Sequence, residues 1–280
     1  MFSIVHKEVL APTIKLIEVE AKEIAEKVLP GNFIILRIDE KGERIPLTVA
    51  DYDREKGTIT LIFQEIGYTT KQLGTLEEGD ALRDLVGPLG NHMPVEGYQK
   101  VVCLGGGSGT ALLYPKVKAL HEAGAQVHTV TGARNEELLI LLDELEEFSE
   151  RLYVCTDDGS AGHHGFVTDI LDMLLEDIEG VDLVVAIGPV PMMRACVDIS
   201  EKYDVKSIVS LNTIMVDGTG MCGGCRVKID DETKFTCVDG PAFEGSKVDF
   251  EDLMRRLNYY KDDEENISDD CCGGGDCQCH

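Results

Sequence analysis

The alternation of short apolar runs with helical segments between residues 98 and 213 constrains the fold more than any other feature. Strand-like runs lie at residues 100–104, 126–131, 152–156, 182–187 and 207–211. Helices are predicted at residues 135–150, 166–176 and 191–202, and a further helical segment ends at about residue 122. Strands that alternate with helices predict a parallel sheet covered on both faces. With right-handed crossovers, the prediction for residues 98–213 is a doubly wound, Rossmann-like α/β domain.

A glycine-rich loop follows the first of these strands and opens the next helix. It comprises Gly105, Gly106, Gly107, Ser108, Gly109 and Thr110. Backbone N–H groups and the helix dipole at such a turn can hold a pyrophosphate, and glycine lets the backbone approach closely. Thr110 stands where the dinucleotide fingerprint has its last glycine, so the loop alone is consistent either with nucleotide binding or with a tight turn.

Loops after two other strands favour nucleotide binding. Asp157 and Asp158 follow one strand, and Gly188 and Pro189 follow another. Open α/β sheets bind ligands outside the carboxyl ends of their strands. Arg134 follows the second strand, where an acidic residue favours NAD and a basic one suits the 2′-phosphate of NADP. The alternative for Arg134 is an ordinary surface charge.

Residues 1–97 have a different pattern, with short β-branched runs separated by turn residues. The runs span residues 13–19, 32–38, 58–63 and 80–85, and one helix is predicted at residues 21–28. Several short strands with regular turns predict a small antiparallel barrel, because closing a sheet removes its exposed edges.

The ten cysteines are unevenly distributed. Cys103, Cys155 and Cys196 stand singly among apolar residues and are predicted to be small core side chains. Cys222, Cys225 and Cys237 form a group in residues 214–260. A Cys-x2-Cys pair with a third cysteine nearby predicts a soft-metal site.

The metal at this group is either an iron–sulfur cluster or structural zinc. Glycines between the cysteines would free backbone N–H groups to reach cluster sulfides, and short cysteine loops favour [2Fe–2S] if a fourth ligand exists. Asp217, five residues before Cys222, is the candidate. The alternatives are that Asp217 only caps a turn through its side chain, or that the cysteines are buried without a metal.

Charge and hydropathy exclude several classes of protein. The formal net charge is −26, which argues against a nucleic-acid binder and against docking on an anionic membrane. The longest apolar runs are far shorter than the ~18 residues of a spanning helix, and no signal-peptide pattern begins the chain. We therefore expect a cytoplasmic protein whose clustered cysteines bind metal.

The last segment, residues 261–280, is acidic and then rich in cysteine. It contains Cys271, Cys272, Cys277 and Cys279. Vicinal cysteines fit poorly around one ion, so we predict a disordered tail with adventitious metal affinity. A zinc, copper or regulatory site is the alternative.

Several segments together resemble the ferredoxin–NADP reductase superfamily. Within it, the chain is similar to the small subunits of NADH-dependent reduced ferredoxin:NADP oxidoreductases, also called sulfide dehydrogenases, and to the electron-transfer subunits of dihydroorotate dehydrogenases. The resemblance covers about residues 2–255 and rests on residues 44–48, 67–70, 105–111, 132–135, 156–160, 188–193 and 212–225. It implies an FAD-binding barrel, an NAD(P)-binding α/β domain and a small C-terminal [2Fe–2S] segment.

The resemblance implies which residues bind FAD. From the residue pattern alone, these segments are only a strand end with an arginine and a glycine turn with two hydroxyls. The implied residues are Arg44, Pro46, Leu47, Thr48, Gly67, Thr69 and Thr70. Arg44 would pair with the pyrophosphate, and Leu47 and Thr48 would lie against the flavin ring. Gly67 and the two threonines would receive a phosphate at a helix N-terminus.

The resemblance also implies the activity. Electrons would pass between NAD(P)H, FAD and the cluster, with no protein acid or base and with a larger flavin and [4Fe–4S] glutamate synthase-like subunit as partner. That partner would handle NADP(H) and ferredoxin, while this chain handles NAD(H). Dihydroorotate-type subunits have cysteine where this chain has Asp217, which favours the ferredoxin:NADP branch. A dihydroorotate dehydrogenase subunit and a nucleotide-binding regulator with structural zinc remain the alternatives.

Overall fold

The computed structural model describes residues 1–259 of the chain, and its first part is a nearly closed antiparallel barrel. The seven strands lie in the order β6-β1-β2-β5-β4-β3-β7. Their bounds are β1 Phe2–Ala11, β2 Ile14–Glu20, β3 Phe33–Arg37, β4 Ile45–Asp53, β5 Thr58–Gln64, β6 Ala81–Leu82 and β7 Asp84–Leu89, with helices α1 Lys22–Ala25 and α2 Tyr68–Thr75. The predicted barrel is confirmed.

The next part is a parallel sheet with helices on both faces. Its strands are β8 Lys100–Gly106, β9 Gln126–Ala133, β10 Arg151–Thr156, β11 His163–His164, β12 Leu183–Ile187 and β13 Ser207–Ser210. Its helices are α3 Gly109–Glu122, α4 Leu142–Glu147, α5 Val167–Asp177 and α6 Val190–Lys202. In the order β11-β10-β9-β8-β12-β13, strands β9 to β11 follow one another on one side of β8, and β12 and β13 lie on its other side. The order in which the chain adds strands therefore reverses between β8 and β12, as in a doubly wound fold. The predicted Rossmann-like domain is confirmed.

The last part is short and connects to both of the others. Strands β14 Arg226–Ile229 and β15 Glu232–Phe235 form a hairpin, followed by helices α7 Thr236–Asp239 and α8 Phe250–Leu257. Strand β16, Ala242–Glu244, joins the edge of the parallel sheet antiparallel to β13. Cys225 and Cys237 are buried against Phe33 and Ile35 of the barrel. The boundaries at residues 97, 213 and 260 remain predictions.

Several predicted elements differ in detail from the structure. The helix predicted at residues 135–150 is a 3-10 turn, Glu136–Leu138, followed by the short α4. Leu141 between them has a φ of 58°. Ile140 packs with Ile14 and Ile62 of the barrel, so tertiary packing overrides the helical periodicity here.

Other outcomes concern the barrel and the single cysteines. The predicted strand at residues 80–85 is divided between β6 and β7, and the predicted helix at residues 21–28 shortens to α1. Cys103, Cys155 and Cys196 are buried core residues, as predicted. Within residues 1–259, no helix is long and apolar enough to cross a bilayer. The predicted cysteine-rich tail, residues 261–280, lies outside the described residues.

Candidate functional site

The glycine loop lies in the crevice where the strand order reverses. Gly105 and Gly106 end β8, and Gly107 turns the chain with a φ of 56°. The N–H of Gly107 donates to the carbonyl of Gly132 at the end of β9, at 2.8 Å. Ser108 then precedes α3, so the first N–H groups of this helix face the crevice.

Gly109 and Gly188 bring this loop into contact with the end of β12. A Cβ on Gly109 would lie 2.6 Å from the carbonyl oxygen of Ile187, so only glycine lets the two segments approach this closely. A Cβ on Gly106 or on Gly188 would meet the side chain of Met192. The structure therefore brings together the two loops that the sequence predicts for nucleotide binding.

Thr110 supports the loop from behind. Its side chain is buried, and its hydroxyl lies 2.9 Å from the hydroxyl of Thr131 in β9. The hydroxyl of Thr110 is therefore hydrogen-bonded within the domain. In the predicted nucleotide site, Thr110 would fix the loop.

Arg134 and Asp157 lie on neighbouring loops at the carboxyl edge of the sheet. Both side chains are exposed. The backbone N–H of Asp158 donates to the carbonyl of Arg134 at 3.2 Å, which joins the two loops. The carboxylate of Asp158 accepts from the hydroxyl and N–H of Ser160, and these bonds hold its pKa below the ordinary value.

The two predicted flavin segments contact each other on the barrel. The Thr69 hydroxyl donates to the carboxylate of Glu43 at 2.8 Å, which ties α2 to the loop before β4. The Thr70 hydroxyl accepts from the N–H groups of Ile66 and Gly67 at 3.1 Å each. These bonds fix the start of α2, where a phosphate would bind.

Strand β4 carries the remaining predicted flavin residues. Pro46, Leu47 and Thr48 are half-buried, and Arg44 just before the strand is exposed. Arg44 follows Glu43, which bonds to the first turn of α2, so this region contains an exposed guanidinium, a helix N-terminus and a half-buried strand. Such a set fits a pyrophosphate attached to a flat aromatic ring.

Two of the three grouped cysteines meet inside the protein. The Sγ atoms of Cys225 and Cys237 are 3.2 Å apart, and both side chains are buried. Burial and the adjacent Cys225 thiol raise the pKa of Cys237 to about 12. Cys222 is exposed, and its Sγ accepts the N–H of Gly224 at 3.4 Å.

Asp217 is oriented toward its own loop. Its carboxylate accepts from the hydroxyl and the N–H of Thr219. The Thr219 hydroxyl contributes most to lowering the pKa of Asp217, and the nearby Arg44 guanidinium also lowers it. The side chain therefore caps a turn, which is the alternative that the sequence left open. The proximity of Asp217 to Arg44 was not foreseen.

The donor set fits a thiolate-bound cluster, although the ligands are not gathered around one point. In the part of the chain that the structure describes, no three His, Cys, Asp or Glu side chains form a group of metal-binding size. The fit rests on two adjacent buried thiols, on the Gly220 N–H bonded to Cys237, and on a buried Thr236 hydroxyl that has no hydrogen-bond partner. Backbone N–H groups around cysteine sulfur are typical of iron–sulfur sites.

Two family models match separate parts of the chain. Residues 103–198 match the oxidoreductase NAD-binding domain, and residues 212–249 match the iron–sulfur cluster binding domain of dihydroorotate dehydrogenase B. A dihydroorotate dehydrogenase B (NAD(+)) electron transfer subunit homolog from Thermotoga maritima is 47% identical over 247 residues, which are 88% of this chain and 87% of the relative. The chain belongs to this family of electron-transfer subunits and their homologues.

A solved structure and a second relative extend the comparison. A chain of the NADH-dependent reduced ferredoxin-NADP oxidoreductase, from a study of flavin-based electron bifurcation, is 44% identical. The two chains superpose with a TM-score of 0.91 over 96% of this chain and 97% of that one. A probable dihydroorotate dehydrogenase B (NAD(+)) electron transfer subunit from Methanocaldococcus jannaschii is 38% identical over 71% of this chain and 74% of the relative. The ferredoxin–NADP reductase-like fold is therefore confirmed.

These matches define the class of protein. The chain is an oxidoreductase-type electron-transfer subunit with an NAD-binding domain and an iron–sulfur-binding domain. The predicted FAD, iron–sulfur cluster and nicotinamide nucleotide are the cofactors of these domains and this fold. Its relatives are subunits of larger complexes.

Three residues around these sites were not predicted as site residues. Glu43 links the two flavin segments, Thr219 holds Asp217, and Met192 packs between the two nucleotide loops. Only Thr219 had a sequence signal, because an Asp-x-Thr pair is typical of a turn closed by the aspartate side chain.

Proposed function

We propose that this chain carries electrons between NAD(H), FAD and a [2Fe–2S] cluster as the small subunit of a ferredoxin:NADP oxidoreductase complex. The flavin, when bound, supplies the conversion between two-electron and one-electron transfer. The residues of the chain bind and orient the cofactors, and no side chain is required as an acid or a base.

One observation supports this proposal: strand β3 contacts both of the predicted cofactor segments. Phe33 and Ile35 of β3 pair with Thr48 and Pro46 of β4. The same two side chains pack against Cys225 and Cys237. Because neighbouring strands are ~4.8 Å apart, the residues that would hold the flavin on β4 and those that would hold the cluster contact the same two side chains of β3.

The loop of Asp217 strengthens this connection. A Cβ on Gly218 would lie 2.8 Å from Cγ1 of Ile35, so this glycine lets the loop rest directly on β3. Arg44 is close enough to Asp217 to lower the pKa of its carboxyl. The predicted pyrophosphate residue and the predicted fourth ligand therefore share one surface.

The proposed roles follow the predicted groups. Arg44, Gly67, Thr69 and Thr70 would bind the FAD phosphates, and Pro46, Leu47 and Thr48 would support the flavin ring. The glycine loop from Gly105 to Thr110, with Gly188 and Pro189, would bind the nicotinamide nucleotide, and Arg134, Asp157 and Asp158 would surround its adenosine end. Cys222, Cys225 and Cys237 would hold the cluster, and Asp217 would bind it through the carboxylate oxygen that does not accept from Thr219.

The proposed partner is a larger flavin and [4Fe–4S] glutamate synthase-like subunit that handles NADP(H) and ferredoxin. The high similarity to a chain of the NADH-dependent reduced ferredoxin-NADP oxidoreductase supports this assignment. The six free cysteines among residues 1–259 support a reducing, cytoplasmic location.

The test is the visible spectrum of the chain purified without air, with flavin, iron and zinc counted per chain. We expect flavin bands, one FAD and about two irons. A colourless protein, or flavin with zinc in place of iron, would contradict the proposal. NADH and NADPH are then compared as reductants, and exclusive use of NADPH would contradict the assignment of NAD(H).

The second candidate is the electron-transfer subunit of an NAD-dependent dihydroorotate dehydrogenase. The match of residues 212–249 to the iron–sulfur domain of that enzyme favours it. Under this candidate, Asp217→Cys should leave electron transfer intact, and a dihydroorotate-oxidising subunit should copurify. Under the first candidate, Asp217→Cys should change the cluster's reduction potential.

A further inference from the structure

We propose that the Thr236 hydroxyl donates a hydrogen bond to a sulfur atom of the iron–sulfur centre and thereby raises its reduction potential. This inference rests on the proposed function, because it requires a cluster at Cys225 and Cys237. Thr236 would donate a hydrogen bond to the cluster and would not be a ligand of its iron.

Thr236 lies between the two buried cysteines. It precedes Cys237 in the chain, and its backbone N–H donates to the carbonyl of Cys225 at 3.1 Å. The Sγ atoms of these two cysteines are 3.2 Å apart. The side chain of Thr236 is therefore attached to the backbone that holds both predicted ligands.

The hydroxyl of Thr236 is completely buried and has no hydrogen-bond partner. Buried polar groups in proteins are hydrogen-bonded with few exceptions, and an exception requires an explanation. The apolar side chains that surround the cysteines, Phe33, Ile35 and Phe235, offer no side-chain acceptor. Sulfur atoms of a bound cluster would provide the missing acceptor.

The direction of the effect follows from charge. Reduction adds one negative charge to the centre, and a hydrogen bond to a negatively charged acceptor strengthens as that charge grows. Hydrogen bonds to cluster sulfurs are among the factors that set the potential of an iron–sulfur centre. Removing the Thr236 hydroxyl should therefore disfavour the reduced cluster.

The test compares Thr236→Val and Thr236→Ser with the wild-type chain, all purified without air. Valine keeps the shape of threonine without the hydroxyl, and serine keeps the hydroxyl. Iron and flavin content are counted first, and the midpoint potential of the cluster is then measured by redox titration with EPR detection. Thr233→Val, on the exposed face of the same hairpin, is the matched control.

We expect Thr236→Val to keep its iron and to shift the cluster's reduction equilibrium toward the oxidised form by up to about tenfold, equivalent to about 59 mV for one electron. Thr236→Ser should restore the potential, and Thr233→Val should leave it unchanged. A fully loaded Thr236→Val variant with the wild-type potential would overturn the inference alone. Absence of iron from the wild-type chain would instead overturn the proposed function.

If Thr236→Val does not load a cluster, Thr236→Ala replaces it as the variant without a hydroxyl. The reduction potential of Thr236→Ser should then stay near the wild-type value. A fall in the serine variant as large as the fall in a loaded Thr236→Ala variant would contradict the hydrogen bond.

Discussion

Gly109 has no room for a side chain. A Cβ at this position would meet the carbonyl oxygen of Ile187 and the Cα of Gly188, both of which belong to the backbone. Backbone atoms yield less than the end of a flexible side chain, so Gly109→Ala should separate the two nucleotide loops. We expect a loss of about 1–3 kcal/mol in the free energy of unfolding and weaker NADH binding. Chemical denaturation and a binding titration measure the two effects.

Ser108→Ala is the control for this change, because Ser108 makes no capping hydrogen bond with its side chain. This variant should keep its stability to within about 0.5 kcal/mol. An equal loss of stability in both variants would show that the close approach of β12 is not the cause.

Lys116 is a fully buried lysine on α3 whose ammonium donates to the carbonyl of Leu112 at 3.0 Å. Burial lowers the pKa of Lys116 to about 8 from an ordinary value of 10.5. Below pH 8 the folded chain holds a buried charge, which costs stability. Between pH 8 and 10.5 the unfolded chain binds more protons than the folded chain, so this cost is relieved as the pH rises.

Lys116→Met should therefore stabilise the fold by about 1–3 kcal/mol at pH 7, and the gain should shrink toward pH 10. Denaturation series at several pH values measure it. Lys118→Met is the comparison, because Lys118 is partly exposed and forms an ion pair with Asp51 worth at most about 1 kcal/mol. Its ammonium also lies over the rings of Tyr114 and Phe148, so this variant should lose stability. A loss of stability in Lys116→Met at pH 7 would contradict the account.

At the scale of one element, α2 depends on its first turn. Thr70→Val removes the acceptor for the N–H groups of Ile66 and Gly67. We expect a loss of about 1 kcal/mol in stability and a lower ratio of FAD to protein after gel filtration. Thr75→Val, which removes a hydroxyl bonded to the carbonyl of Gln72 at the other end of α2, should retain its flavin. Equal flavin loss in the two variants would contradict a phosphate site at the helix start.

Strand β4 explains why the sequence predicted the barrel but missed one of its central strands. Pro46 cannot donate to a sheet, and a proline inside an apolar run argues against a strand. In the structure β4 pairs with β5 only from Val49 onward, so Pro46 has a neighbouring strand on one side only. The position is locally an edge, which the sequence pattern could not reveal.

The broken helix before β10 has a comparable cause. Its periodicity was helical, but Ile140 is required in the apolar contact with the barrel. Contacts between distant segments decide such cases, whereas the strands of the parallel sheet were predictable because their apolar runs are buried on both faces.

At the scale of the whole molecule, the sequence located the cofactor segments but not their arrangement. The cysteine spacing indicated a soft-metal site, and the glycine loop indicated a nucleotide site. That β3 contacts both Cys225 and the segment of β4 follows only from the tertiary fold. The proximity of the Arg44 guanidinium to Asp217, which lowers the pKa of that carboxyl, likewise brings together residues far apart in sequence.

The most direct test of the account is an anaerobic titration of the full chain with NADH, with the reduced cluster counted by EPR. If the flavin on β4 and the cluster at Cys225 and Cys237 form one electron path, NADH should bleach the flavin bands. It should also produce the signal of a reduced [2Fe–2S] cluster in proportion to the iron present. Flavin that is bleached by NADH while the iron stays oxidised would contradict the central claim that this chain connects the two.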